Sequence, residues 1–105
     1  MRGYNHVTLV GNLVSDPNHT NEGKASKTTF TLAVGKGYKK NDEDAVDFIP
    51  IVVWGKLAEI CNEYLVEGKR VLIDGKVVVK KITEGEKITY LTQIVADEMT
   101  LLSNK

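Results

Sequence analysis

Apolar and polar residues sort by parity along most of this chain, with one interruption in the middle. Over residues 46–54 they fall into two alternating sets, as a two-faced β-strand requires. Ile49, Ile51 and Val53 make one set, β-branched and suited to a core. Phe48, Pro50, Val52 and Trp54 make the other, so two large aromatics stand opposite the core set. Gly55 then breaks the strand. Beyond it Leu57, Ile60, Cys61, Tyr64 and Leu65 recur at i, i+3, i+4, i+7 and i+8, which predicts one apolar helical stripe. Gly68 is placed to end that helix in the left-handed conformation.

The flanking segments predict four more strands. Residues 6–14 put Val7, Leu9, Gly11 and Leu13 on one face, with Gly11 suited to a bend or a close backbone approach. Asp16-Pro17 opens a polar loop to about Lys27. Residues 28–35 form the second strand, with Phe30, Leu32 and Val34 on one side, and 36–45 a hairpin loop into the aromatic strand. After the helix, 70–82 read as a long strand with a bend or bulge at Gly75. Residues 83–86 form a turn and 87–96 a fifth strand, which 99–102 extend before 103–105 fray. The order β-β-β-α-β-β, with glycine bends in long strands, predicts an all-β fold. It suits the OB-fold, a five-stranded Greek-key barrel with its helix between strands 3 and 4, whose strand 2–3 face binds oligonucleotides or oligosaccharides. An SH3-like barrel has no place for that helix.

Two roles are open to Phe48 and Trp54: a second buried layer, or a flat platform on which bases stack, flanked by Lys56. Charge weighs against a strongly basic nucleic-acid binder, because 14 Lys and Arg balance 14 Asp and Glu. Local field can still differ from the total. Lys36, Lys39 and Lys40 cluster around Tyr38, while Asp42, Glu43, Asp44 and Asp47 form an acidic run; both also suit a solvated hairpin tip.

At 105 residues the chain is expected to be one domain. It contains no apolar run near the ~18 residues that span a bilayer and no apolar signal region near its start, so a cytoplasmic, nucleoid-associated place is expected. The lone Cys61 reads as a core residue of a reduced compartment and offers neither zinc spacing nor a redox pair. With only His6 and His19 beside scattered carboxylates, no catalytic constellation assembles. Gly35-Lys36-Gly37 has no helix behind it and makes no dinucleotide loop. Neither an enzyme nor a metal or cofactor site is expected.

Several strings resemble a known family. Asn5-His6-Val7-Thr8-Leu9-Val10-Gly11-Asn12-Leu13, followed by Asp16-Pro17, resembles the opening strand of bacterial-type single-stranded DNA-binding proteins. Phe30-Thr31-Leu32-Ala33 is similar to their second strand. Trp54-Gly55-Lys56-Leu57-Ala58-Glu59, running through Glu63-Tyr64-Leu65 and Gly68 to Val71-Leu72-Ile73-Asp74-Gly75, is the most specific match. The resemblance implies an OB-fold that coats single-stranded DNA without sequence preference in replication, recombination and repair, as a homotetramer or a dimer. It places Tyr38, Phe48 and Trp54 at base-stacking positions, Lys56, Lys80 and Lys81 along the strand's path, and Arg2 in a contacting N-terminal segment; Lys36 and Lys39 join these candidates from their cluster around Tyr38.

Three departures qualify it. Ile82 stands where many members carry a fourth stacking aromatic, leaving an apolar contact. Pro50 replaces a usual cation, and Val66-Glu67 replace two more, so fewer phosphate contacts and a shallower salt dependence are expected. The family's long extension with an acidic tip, which recruits repair and replication proteins, is not among these residues, so the resemblance does not reach such recruitment. Other expectations compatible with the fold are an RNA-binding module, an accessory subunit of replication restart, and a structural subunit whose aromatic face is buried against a partner. Unpaired strand edges would favour subunit pairing in any of these.

Overall fold

The computed structural model describes residues 3–23 and 25–102. Six strands and one helix follow in the order β1 (Val7–Leu13), β2 (Asn18–Glu22), β3 (Ala25–Lys40), β4 (Glu43–Trp54), α1 (Lys56–Tyr64), β5 (Arg70–Glu84) and β6 (Lys87–Leu101). Five strands close a ring in the order β1-β5-β6-β4-β3. Its closure is the pairing of Asn12 with Ala33 and Leu13 with Leu32. The β4–β6 pairing is parallel, through Ile51–Ile94 and Val52–Val95, and the others are antiparallel. This is the closed five-stranded barrel of an OB-fold, with α1 between its third and fourth ring strands and packed against β3 and β4.

Alternation decides the interior. Leu13, Phe30, Leu32, Ile51, Val53, Val71, Ile73 and Ile94 fill the barrel, and Ala58, Cys61 and Leu65 plug one end. Ile51 and Val53 are fully buried while Ile49 packs at the margin, as their shared parity predicts. Thr28 is the polar exception. Its hydroxyl donates to the Ala58 carbonyl oxygen at 2.6 Å, and a carbonyl can only accept. The Thr28 oxygen must therefore accept the 2.8 Å bond from His19, which places a hydrogen on Nδ1.

Both interior glycines are forced by close approach. A Cβ on Gly11 would collide with the Ala33 carbonyl, and one on Gly75 with the Val95 carbonyl. At Gly75 the β5–β6 register also slips, from Asp74–Glu98 to Gly75–Ala96, so the bulge expected there is present.

Four expectations need correction. Asn18–Glu22, inside the stretch expected to be loop, is an added strand, β2, paired only with β3. Such a polar edge strand carries no apolar alternation to reveal it. The hairpin between β3 and β4 narrows to a tight turn at Asn41-Asp42, both with positive φ, rather than a loop over 36–45. Tyr64, placed on the buried helical stripe, is exposed. It is the last residue of α1, and Leu65 reaches the core instead by leaving the helix with extended backbone. Gly68 does adopt positive φ, but four residues past the helix end, where its N–H bonds the Leu13 carbonyl and ties the loop to β1.

Candidate nucleic-acid interface

Directly opposed residues in a ladder share a face, so the β3–β4 register defines the barrel's outer surface. On it stand the pairs Lys27–Trp54, Thr29–Val52, Thr31–Pro50, Ala33–Phe48 and Gly35–Val46. Phe48 is 63% exposed and Trp54 40% exposed, which removes the buried-layer role within this chain. Six residues of uninterrupted strand separate them by about 20 Å. Between the two lies a concavity of about 300 Å³ lined by Asp16, Thr29, Thr31, Pro50, Val52 and Gln93. Adjoining the Ala33–Phe48 pair is a larger one of about 600 Å³, whose lining includes Asn12, Ala33, Tyr38, Val46 and Arg70. Tyr38, 58% exposed, thus joins the same surface, although a bulge between Gly35 and Lys39 makes its facing unpredictable by parity. Arg70 is steadied there: its Nη1 donates to Asn12 Oδ1, and Asn12 Nδ2 donates to the Gly68 carbonyl, both at 3.0 Å.

The cations divide by neighbourhood. Lys56 opens α1 two residues beyond Trp54. The Lys27 ammonium lies 5.3 Å from the centroid of the Trp54 ring, a cation–π distance. At the hairpin, basic and acidic runs that are separate in sequence are interleaved by the register. Lys36 pairs with Asp47 at 3.3 Å, Lys39 stands opposite Asp44, and Lys40 opposite Glu43. At that end of the platform each lysine thus has a carboxylate across the ladder.

The β5–β6 hairpin splits the remaining candidates. Val95, beside Val52, carries the outer face onto β6; from there Lys80 (opposite Leu91) and Ile82 (opposite Thr89) share that face by alternation. Lys81, opposite Tyr90, falls on the reverse face, because neighbours along a strand point apart. The structure therefore brings Lys80 and Ile82, but not Lys81, to the aromatic side. Arg2 lies outside the described residues. Lys27 and Arg70 stand on this surface without any signal in the sequence: Lys27 ends the polar stretch that predicts a loop, and only its placement on β3 sets it opposite Trp54.

Chemically this surface offers stacking and phosphate contact. Burial pushes the Cys61 thiol from its ordinary value near 9.0 up to about 11, so it stays protonated and unreactive at neutral pH. His6 sits on the exposed β1–β5 surface, its Nε2 3.2 Å from Thr8 Oγ1 and 3.5 Å from Asp74, a local polar knot. Among the described residues no group of three or more His, Cys, Asp or Glu side chains gathers as a metal ion would need.

The model of the single-strand binding protein family matches residues 4–102. The chain is 38% identical over 102 residues to a single-stranded DNA-binding protein of Clostridium tetani, covering 93% of this chain and 70% of that one. It is 37% identical to single-stranded DNA-binding protein 1 of Chlorobaculum tepidum, over 99% of this chain and 68% of that one. A single-stranded DNA-binding protein of Xylella fastidiosa is 38% identical over 99% of this chain and 66% of its own length. With the closed barrel, the exposed aromatics and a match over nearly its whole length, the chain belongs to the single-strand binding protein family.

Proposed function

We propose that this protein binds and protects single-stranded DNA without sequence preference during replication, recombination and repair. The observation that carries this is the pair Phe48 and Trp54, held open to solvent on one face of a continuous strand. Every base has a π-face, so stacking is indifferent to sequence and contributes about 1–3 kcal/mol per base. Lys56, Lys80 and the other cations on that side then hold phosphates and release counterions. Nothing in such binding needs a catalytic group, and the protein acts as a binder rather than an enzyme, as a single domain in the cytoplasm with the nucleoid.

The reading includes self-association as a homotetramer or dimer. Its support is the reverse face of the β5–β6 hairpin, where Val77, Val79, Ile88 and Tyr90 are all exposed, an apolar ribbon suited to a second copy.

Trp54 is the sole tryptophan, so its fluorescence reports one site. Adding oligo(dT) is expected to quench it strongly, with partial recovery at high salt. An unchanged spectrum at saturating oligonucleotide would overturn the stacking role and favour a face buried against a protein partner. Competition between DNA and RNA homopolymers decides the ligand class.

A further inference from the structure

We propose that Lys27 is a DNA-contacting residue, delivered by the Trp54 ring itself to the phosphate of the nucleotide whose base stacks there. The inference rests on the function proposed above and extends its site to a strand that the sequence pattern concealed. Three observations carry it. Lys27 is the direct ladder partner of Trp54, on the same outer face. Its ammonium sits 5.3 Å from the ring centroid, so its long stem is already directed across the indole. Finally, β2 continues that face one strand further, with Thr20 opposite Lys27. The row Thr20–Lys27–Trp54 gives a nucleotide stacked at Trp54 a sheet surface beside it on which its backbone can lie.

The geometry implies an exchange. A base arriving on the indole competes with the ammonium for the electron-rich ring face, while its phosphate arrives within reach of the displaced charge. Adjacent strands are about 4.8 Å apart, so a change of side-chain rotamer spans the distance from ring to phosphate. Lys27 thus occupies the stacking site when DNA is absent and grips the backbone when DNA is present.

The test compares wild type with Lys27→Met, which keeps an apolar stem over the ring and removes the charge, and with Lys27→Arg, which restores charge. Binding of end-labelled oligo(dT) is followed by anisotropy across a salt series, independently of Trp54 emission, after urea midpoints establish that each variant is folded. The slope of log affinity against log salt is expected to become shallower by about 0.7 in Lys27→Met, the value of one phosphate contact on a single strand, and to return in Lys27→Arg. The free-protein emission of Trp54 should shift in Lys27→Met, because the charge over its ring is gone. An unchanged slope overturns the proposal while leaving oligo(dT) binding at Trp54 intact. Tighter binding with an unchanged slope also overturns it, since Lys27 would then only obstruct the ring. A wild-type protein that binds no oligo(dT) overturns both this assignment and the function on which it rests. Lys27→Gln repeats the measurement with a shorter polar stem should the methionine variant fail to fold.

Discussion

Removing the Trp54 indole takes away one stacking surface and little of the core, because that ring is exposed and the residues beneath it face the other way. Trp54→Ala should weaken oligo(dT) binding by about 1–3 kcal/mol while leaving the urea midpoint nearly unchanged; an unfolded variant would mean that the ring supports the barrel. Cys61 makes the opposite case, a residue whose chemistry is silenced by burial. Its folded pKa is raised from near 9.0 to about 11, so between those values the folded state holds a proton that the unfolded state has lost. Stability attributable to it is therefore complete below about pH 9 and falls as pH rises towards 11, by at most about 1.4 kcal/mol per pH unit. Urea midpoints measured through that window should decline more steeply for wild type than for Cys61→Ala. At this scale the sequence was informative wherever parity runs unbroken: Phe48, Ile51, Val53 and Trp54 lie on one uninterrupted strand and face as alternation requires. It was silent at Tyr38, because two extra residues of β3 intervene before pairing resumes.

Elements are set by backbone approach as much as by side chains. Gly11 lies where β1 crosses β3, and a methyl group there meets the Ala33 carbonyl rather than a side chain that could rotate away. Gly11→Ala should therefore destabilise the barrel by about 1–3 kcal/mol, measured by urea unfolding, whereas an alanine at the open, exposed Gly35 should be nearly neutral on steric grounds. The strands, their approximate order and the helix were legible because apolar periodicity switches once, from two to 3.6, at Gly55. The second strand was not. Asn18, His19, Thr20, Asn21 and Glu22 are all polar, so no apolar alternation marks the strand that pairs with β3. Resemblance assigns Lys81 together with Lys80, and alternation along β5 sets the two on opposite faces.

For the whole molecule the balance of 14 basic and 14 acidic residues becomes a statement about salt. With Lys36 paired to Asp47, and Lys39 and Lys40 opposite carboxylates, the hairpin end of the platform adds little net positive charge. The slope of log affinity against log salt should accordingly be shallower than for a family member that carries cations at the positions held here by Pro50, Val66 and Glu67, measured under the same conditions. Assembly is the second property at this scale. Tyr90 stands 65% exposed in the centre of the apolar ribbon, so Tyr90→Glu should leave the fold intact and reduce the mass seen by light scattering. An unchanged mass would place the contact between copies elsewhere.

The ring is joined unevenly. β3 and β4 share a long ladder, yet β3 meets β1 through the pairs Asn12–Ala33 and Leu13–Leu32 and the Val14 N–H bond to the Thr31 carbonyl, and β4 meets β6 through the pairs Ile51–Ile94 and Val52–Val95. When the barrel breathes, amides at those two seams should exchange with solvent before those of the β3–β4 ladder. Phe48 and Trp54 would then ride together on one stiff panel hinged at both sides, their separation conserved while the walls around it part.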